Sequence, residues 1–220
     1  MRRLLALFAA TLAAVAASPP PPRIMPVGDS ITQGGGATYA TYRVVLAAKL
    51  RAAGVRFEFV GSQVTPTPQG PLRHEGYGGK HAEFLAGILD AKLVAAPADI
   101  LMIQAGHNHF AEEKPIPGIL AATRAMVATA RARNPHVVVV VAQVIPAGKL
   151  PKYAYLPELN VALAALAKEL DGPGQRVLTV DLATGFDVAA DTIADRVHPN
   201  DRGAEKIAQR WAEVLIPLLK

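Results

Sequence analysis

Near its N-terminus the chain reads "RIMPVGDSITQGGG", Arg23 to Gly36: an apolar run, then Gly-Asp-Ser, then a cluster of glycines. A serine hydroxyl is a weak nucleophile until a base takes its proton, so it must be reachable, as Ser30 would be at the end of a strand. Near the C-terminus "DRVHPND", Asp195 to Asp201, supplies an imidazole, His198, with a carboxylate, Asp195, three residues before it. His198 could accept the Ser30 proton and return it to a leaving alcohol, while Asp195 fixes the imidazole tautomer from the far side. Between these segments, "HEGYGGKH" (His74 to His81) and "QAGHNHF" (Gln104 to Phe110) offer a glycine-rich turn and a lone asparagine, Asn108. Both could donate N–H groups to a developing oxyanion.

Taken singly, each residue has a plainer reading. Gly-Asp-Ser is a common turn, Asp195 could lie in a surface turn, His198 at a helix start, and Asn108 is a turn former. Gly34 to Gly36 do not make a phosphate loop, because no Gly-Lys-Ser/Thr follows and no Gly-x-Gly-x-x-Gly sits on a strand-to-helix turn.

Position favours the chemistry. Short apolar runs predict strands over 24–27, 56–60, 100–103, 137–144 and 177–181. Helical patterns follow over 42–53, 81–95, 119–133, 156–170 and 201–219, the last with Asp201 as its N-cap and Trp211 in the core. The alternation implies an α/β fold: one three-layer, flavodoxin-like domain whose five-stranded parallel sheet has helices on both faces. Ligands bind such sheets at the carboxyl ends of the strands, and all four segments fall there.

Composition narrows the classes. Arg2 and Arg3 precede an apolar run from Leu4 to Ala17, which reads as a signal peptide over 1–17. Residues 18–22 form a proline-rich leader, and 23–220 the domain. The run is short of the roughly 20 residues that cross a bilayer, so a secreted or periplasmic protein without stable membrane anchoring is expected. Removing Arg2 and Arg3 lowers Lys+Arg from 23 to 21 against 18 acidic residues, which takes the net charge from +5 to +3. The only local basic cluster is Arg131-Ala132-Arg133, so no nucleic-acid partner is expected. With no cysteine, thiol catalysis, Cys-ligated metals and disulfides are excluded.

The combination resembles the SGNH hydrolases, the GDSL-type esterases and lipases, over nearly the whole chain from Arg23 onward. Gly28-Asp29-Ser30 matches the block that carries the nucleophile, Gly79 the glycine of the second block, and Asn108 the asparagine of the third. Asp195 and His198 match the fifth, where Asp-x-x-His is the usual spacing. "IMPVGDSIT", "TYRVVLAAKL", "FEFVGSQ" and "HEGYGG" are similar, in the same order, to the small acetylxylan esterases of carbohydrate esterase family three. The resemblance implies a catalytic triad of Ser30, His198 and Asp195, with an oxyanion hole from the backbone N–H groups of Ser30 and Gly79 and the Asn108 amide. Gly28 and Gly34 to Gly36 are expected to leave room for substrate beside Ser30.

Two departures stand out. The third block usually reads Gly-x-Asn-Asp, and here it is Gly106-His107-Asn108-His109. His109 thus replaces an aspartate that supports the loop, and either His107 or His109 could face the pocket. In the second block Gly78 and Lys80 stand where the branch has serine and tryptophan, which removes an aromatic wall and weakens the case for xylan. Asp29 is read as loop support. No cofactor and no metal are expected. A cluster of His107 and His109 with His74 or His81 is conceivable, but imidazoles without a placed carboxylate make a poor site.

The expected function is a secreted serine esterase acting on short acyl esters, chiefly acetyl groups on carbohydrate. The alternatives are a lipid or thioester hydrolase of the same superfamily and a non-catalytic glycan-binding relative.

Overall fold

A computed structural model describes residues 19–220; the expected signal peptide lies outside them. The chain begins with β1 (Arg23–Gly28), a one-turn helix α1 (Ser30–Gln33) and α2 (Tyr42–Ala52). Three short strands follow: β2 (Glu58–Phe59), β3 (Gln63–Thr65) and β4 (Leu72–Gly76). Then come α3 (Ala82–Ala95), β5 (Ile100–Gln104), α4 (Ile116–Arg133), β6 (Val138–Gln143) and α5 (Leu156–Leu170). The chain ends with β7 (Val177–Asp181), a short α6 (Val188–Asp191) and α7 (Asp201–Leu219).

The sheet runs β3-β4-β1-β5-β6-β7, with β2 also beside β1. It is a mixed sheet of seven strands, not the expected five-stranded parallel one. The extra strands come from the segment between the expected strand at 56–60 and α3. β2 pairs with the start of β1, at Arg23↔Glu58 and Ile24↔Phe59. The chain then turns away at Gly61, makes the antiparallel β3–β4 hairpin, and returns to the end of β1 at Val27↔Glu75 and Gly28↔Gly76. Two short strands thus share one edge of β1, and the remaining pairings, β1–β5, β5–β6 and β6–β7, are parallel.

Helix ends differ from expectation for local reasons. α4 starts at Ile116 because Pro115 and Pro117 suit a first turn, where their missing N–H groups would have no partner. The N-cap of α7 is Asn200, whose side chain accepts from the Gly203 N–H at 3.0 Å. Asp201 is instead the first helical residue, where its charge favours the helix dipole.

Strand alternation splits the core in two. Met25, Val27, Leu101, Ile103, Val139 and Val141 face α3, α4 and α5. Ile24, Ile100, Met102, Val140 and Val180 face α2 and α7, where Trp211 is fully buried as expected. The two faces together make the three-layer sandwich.

One polar group lies deep in this packing. Arg43, on α2, is fully buried, and its guanidinium donates to the Thr32 carbonyl at 2.5 Å, the Gln33 carbonyl at 2.8 Å and Thr65 Oγ1 at 2.8 Å. Burial lowers its pKa to about 10, so it remains charged. Nearby on β4, His74 is also buried and accepts the Gly76 N–H on Nδ1 at 3.0 Å. Burial and the Arg43 charge lower the His74 pKa to about 3, which keeps the ring neutral.

A buried neutral histidine makes stability depend on pH. The unfolded chain takes up the His74 proton below about 6.5, whereas the folded chain resists it down to about 3. The His74 contribution is therefore full above pH 6.5 and is lost as pH falls from there toward 3. Denaturant unfolding of wild type and His74→Gln across that range should show an extra acid slope of up to about 1.4 kcal/mol per pH unit in wild type only. Equal slopes would refute the neutral assignment.

Candidate active site

β1 delivers Ser30 to the carboxyl edge of the sheet, between β4 and β5, where the strand order reverses. Gly28 allows the close approach there: a Cβ on it would lie 2.3 Å from Thr32 Oγ1 and 2.5 Å from the Gln104 carbonyl oxygen. Its reason is packing between α1 and β5, not room for substrate as expected. Likewise a Cβ on Gly34 would collide with Thr41. Asp29 caps α1, accepting the Ile31 N–H at 2.9 Å.

Ser30 Oγ lies 2.8 Å from His198 Nε2, and His198 Nδ1 lies 2.5 Å from Asp195 Oδ2. The other carboxylate oxygen accepts the backbone N–H groups of Val197 at 2.9 Å and His198 at 3.0 Å. Arg196 closes this tight turn with a left-handed φ of 59°. Burial opposes ionisation of Asp195, but the His198 ring and the two backbone donors outweigh it and hold its pKa below the usual carboxylate value. A serine hydroxyl, an imidazole and an ionised carboxylate thus lie in one hydrogen-bonded line. Such a line can move a proton from the hydroxyl to the ring and stabilise the imidazolium.

Tyr39 was not legible as part of the site. Its ring stacks on His198 with centroids 4.2 Å apart, and its hydroxyl donates to the Ser30 carbonyl at 2.9 Å. Burial and the charge of Asp29 raise its pKa, so it stays a donor. The adjacent Ala40 N–H reaches the Pro199 carbonyl at 3.2 Å, which ties the Tyr39 segment to the His198 loop. The cue in the sequence is an aromatic residue three places beyond the glycine cluster.

Gly79 and Asn108 lie on two facing loops. Both have left-handed backbones, with φ of 73° and 72°, a conformation glycine and asparagine tolerate best. Asn108 Nδ2 donates to the Lys80 carbonyl at 3.0 Å, joining the two loops. That bond uses one of the two amide hydrogens. The Gly78 N–H donates to Gln33 Oε1 at 2.6 Å, tying the same turn to α1.

The two histidines of the third loop separate. His107 turns into the core, 2% exposed. Its Nε2–H donates to the Ile145 carbonyl at 3.0 Å, and Nδ1 faces Asp29 Oδ2 at 3.5 Å. His109 lies near the surface, with Nε2 at 3.1 Å from Glu83 Oε2 and Nδ1 at 3.4 Å from Glu113 Oε2. Where the family pattern has an acceptor, this chain has a donor, and acceptors surround it.

His81 Nδ1 approaches the same Glu83 oxygen at 3.0 Å, so the imidazole cluster consists of His81 and His109. His74 and His107 take no part in it. The carboxylate that the sequence reading lacked is Glu83, in the first turn of α3, 26 residues before His109.

The sequence matches the model of the GDSL-like lipase/acylhydrolase family over residues 27–206. Among solved structures, a carbohydrate esterase family 3 protein from Talaromyces cellulolyticus is 25% identical, with a TM-score of 0.79 over 90% of this chain and 97% of the other. A family 3 carbohydrate esterase from Clostridium thermocellum is 27% identical, with a TM-score of 0.75 over 90% and 99%. An acetyl esterase mutant with acetate ion is 25% identical, with a TM-score of 0.79 over 90% and 97%. No curated protein matches the chain. With the family pattern running through the strand that carries Ser30, both loops at the sheet edge and the turn that carries His198, the chain belongs to the GDSL-like lipase/acylhydrolase family and is an ester hydrolase.

Proposed function

We propose that this enzyme removes short acyl groups, chiefly acetyl, from carbohydrate outside the cytoplasm, using Ser30, His198 and Asp195 as a catalytic triad. The observation that carries the mechanism is the unbroken line from Ser30 Oγ through the His198 ring to Asp195. Ser30 Oγ attacks the ester carbonyl carbon as its proton passes to His198 Nε2. The tetrahedral intermediate collapses, the alcohol leaves with that proton, and an acyl-serine remains. Water then attacks the acyl carbon with His198 again as base, releasing the acid and restoring Ser30.

The negative oxygen is held by N–H donors. The Ser30 N–H is the first of α1 and so has no partner inside the helix. The Gly79 N–H and the second Asn108 amide hydrogen complete the set. Asp29 and His107 support the loops behind. An acetyl group and a carbohydrate alcohol are favoured because solved family 3 carbohydrate esterases and an acetyl esterase share this chain's architecture. The apolar segment after Arg2 and Arg3 supports export, which fits a substrate outside the cytoplasm.

A fluorophosphonate should label wild type at Ser30 and leave Ser30→Ala unmarked. Ser30→Ala and His198→Ala should each abolish ester turnover with melting temperatures little changed, since nucleophile and base act as a unit. Substantial turnover by Ser30→Ala, or no labelling of wild type, would overturn the triad; the latter is the result for a pure glycan binder.

Asn108→Ala should lower kcat by about 10²–10³, the usual effect of one lost oxyanion donor. A change confined to KM would instead place Asn108 in ground-state binding.

Across p-nitrophenyl esters of increasing length, kcat/KM should be highest for acetyl. A rise from acetyl to octanoyl would support the lipid or thioester hydrolase reading and defeat the short-acyl one.

A further inference from the structure

We propose that His81, Glu83 and His109 form a binding site for a divalent transition-metal ion of the zinc type, at the rim of the active site. Each offers one ligand atom, an imidazole nitrogen or a carboxylate oxygen, and these atoms all lie within 4.8 Å of one another. The two edges that share the carboxylate oxygen are 3.0 and 3.1 Å. Ligand bonds of about 2.0–2.2 Å in tetrahedral geometry put neighbouring ligand atoms roughly 3.4 Å apart, so small side-chain rotations would open the cluster around an ion.

The donor set selects the ion. Two imidazole nitrogens and one carboxylate suit zinc and its transition-metal neighbours, whereas calcium and magnesium prefer all-oxygen cages. Three protein ligands leave a fourth position for water.

A second observation points the same way. His109 Nδ1, the nitrogen that faces away from the cluster, lies 3.4 Å from Glu113 Oε2. An outer carboxylate on the far nitrogen of a ligating histidine fixes its tautomer and strengthens its ligating nitrogen. Binding would remove any proton held between His109 Nε2 and Glu83, releasing it to solvent.

The location gives the ion a role. His81 directly follows Lys80, whose carbonyl accepts the Asn108 amide, and His109 directly follows Asn108. An ion held by both histidines would therefore clamp the Gly79 loop to the Asn108 loop. That role rests on the oxyanion assignment above; the site itself does not.

The test reads binding rather than turnover. The full-length protein, stripped with a chelator, is titrated with Zn²⁺ by calorimetry and with Co²⁺ by visible absorption, and melted with and without Zn²⁺. Wild type should bind one equivalent, show the intense visible bands of a tetrahedral Co²⁺ centre, and melt higher with Zn²⁺. His109→Ala and Glu83→Gln should each weaken binding by at least about tenfold and remove the Zn²⁺-dependent rise in melting temperature. Glu113→Gln should weaken it by about 10–100-fold, the usual effect of losing an outer partner. His136→Ala, exposed and at the opposite end of the sheet, should bind as wild type does. Glu83→Gln removes only a charge, so a folded variant is expected even if His109→Ala is unstable. Absence of saturable binding, or affinity and stoichiometry unaffected by Glu83→Gln, overturns the site whatever the esterase activity shows.

Discussion

The backbone that holds Ser30 depends on one guanidinium. A four-residue helix such as α1 has scarcely any internal hydrogen bonds to set against the entropy of forming it. Its start is capped by Asp29, and the Ser30 carbonyl is taken by the Gly34 N–H and the Tyr39 hydroxyl. The Thr32 and Gln33 carbonyls at its end are taken by Arg43. These oxygens lie at the negative end of a helical turn, so they stabilise a buried cation that has no carboxylate in its hydrogen-bond set. Lysine could not do the same, because the planar fork reaches Thr32, Gln33 and Thr65 together. Burial, with the same cation, keeps His74 neutral on β4.

Around that fixed point the sheet works as a jig. Parallel pairing of β1 with β5 brings the Ser30 turn alongside the segment that leads to Asn108. The returning β4 ends at Gly76, two residues before Gly78 binds Gln33. The last loop arrives from beyond β7, held by the Ile193 N–H on the His198 carbonyl at 2.9 Å. Backbone hydrogen bonds therefore position each loop, and side-chain bonds between loops make the final adjustments. Tyr39 is one of these: a stacked ring leaves the imidazole little freedom to rotate away from the hydroxyl.

Much of this was legible in the sequence, for identifiable reasons. β1, β5 and β6 are central and largely apolar, as strands covered on both faces must be, and the edge strand β7 keeps β-branched residues at Val177, Thr179 and Val180. The three-layer arrangement followed from their alternation with helices, and the four loops followed from that. The β3–β4 hairpin was hidden because its strands, Gln63–Thr65 and Leu72–Gly76, are short and polar, and β3 is the edge strand. The N-cap of α7 was misplaced by one residue because Asn200 and Asp201 are both good caps and only geometry chooses between them. The role of Arg43 is not legible, since nothing local shows that its side chain meets carbonyls 10 and 11 residues back. Glu83 escaped notice for a similar reason, because its partner His109 comes from a different loop.

The contact between Ser30 and His198 spans 168 residues of chain. A protein made from its N-terminus exposes the serine first and the imidazole almost last, so for most of synthesis the hydroxyl has no base beside it. The Ser30 hydroxyl meets the His198 ring once α7 has docked on α2 and brought the His198 loop across. Closing such a long loop is slow on the scale of local folding steps, which makes this contact a late one. The Ser30–His198 hydrogen bond therefore forms only when the first and last parts of the chain have both found their places.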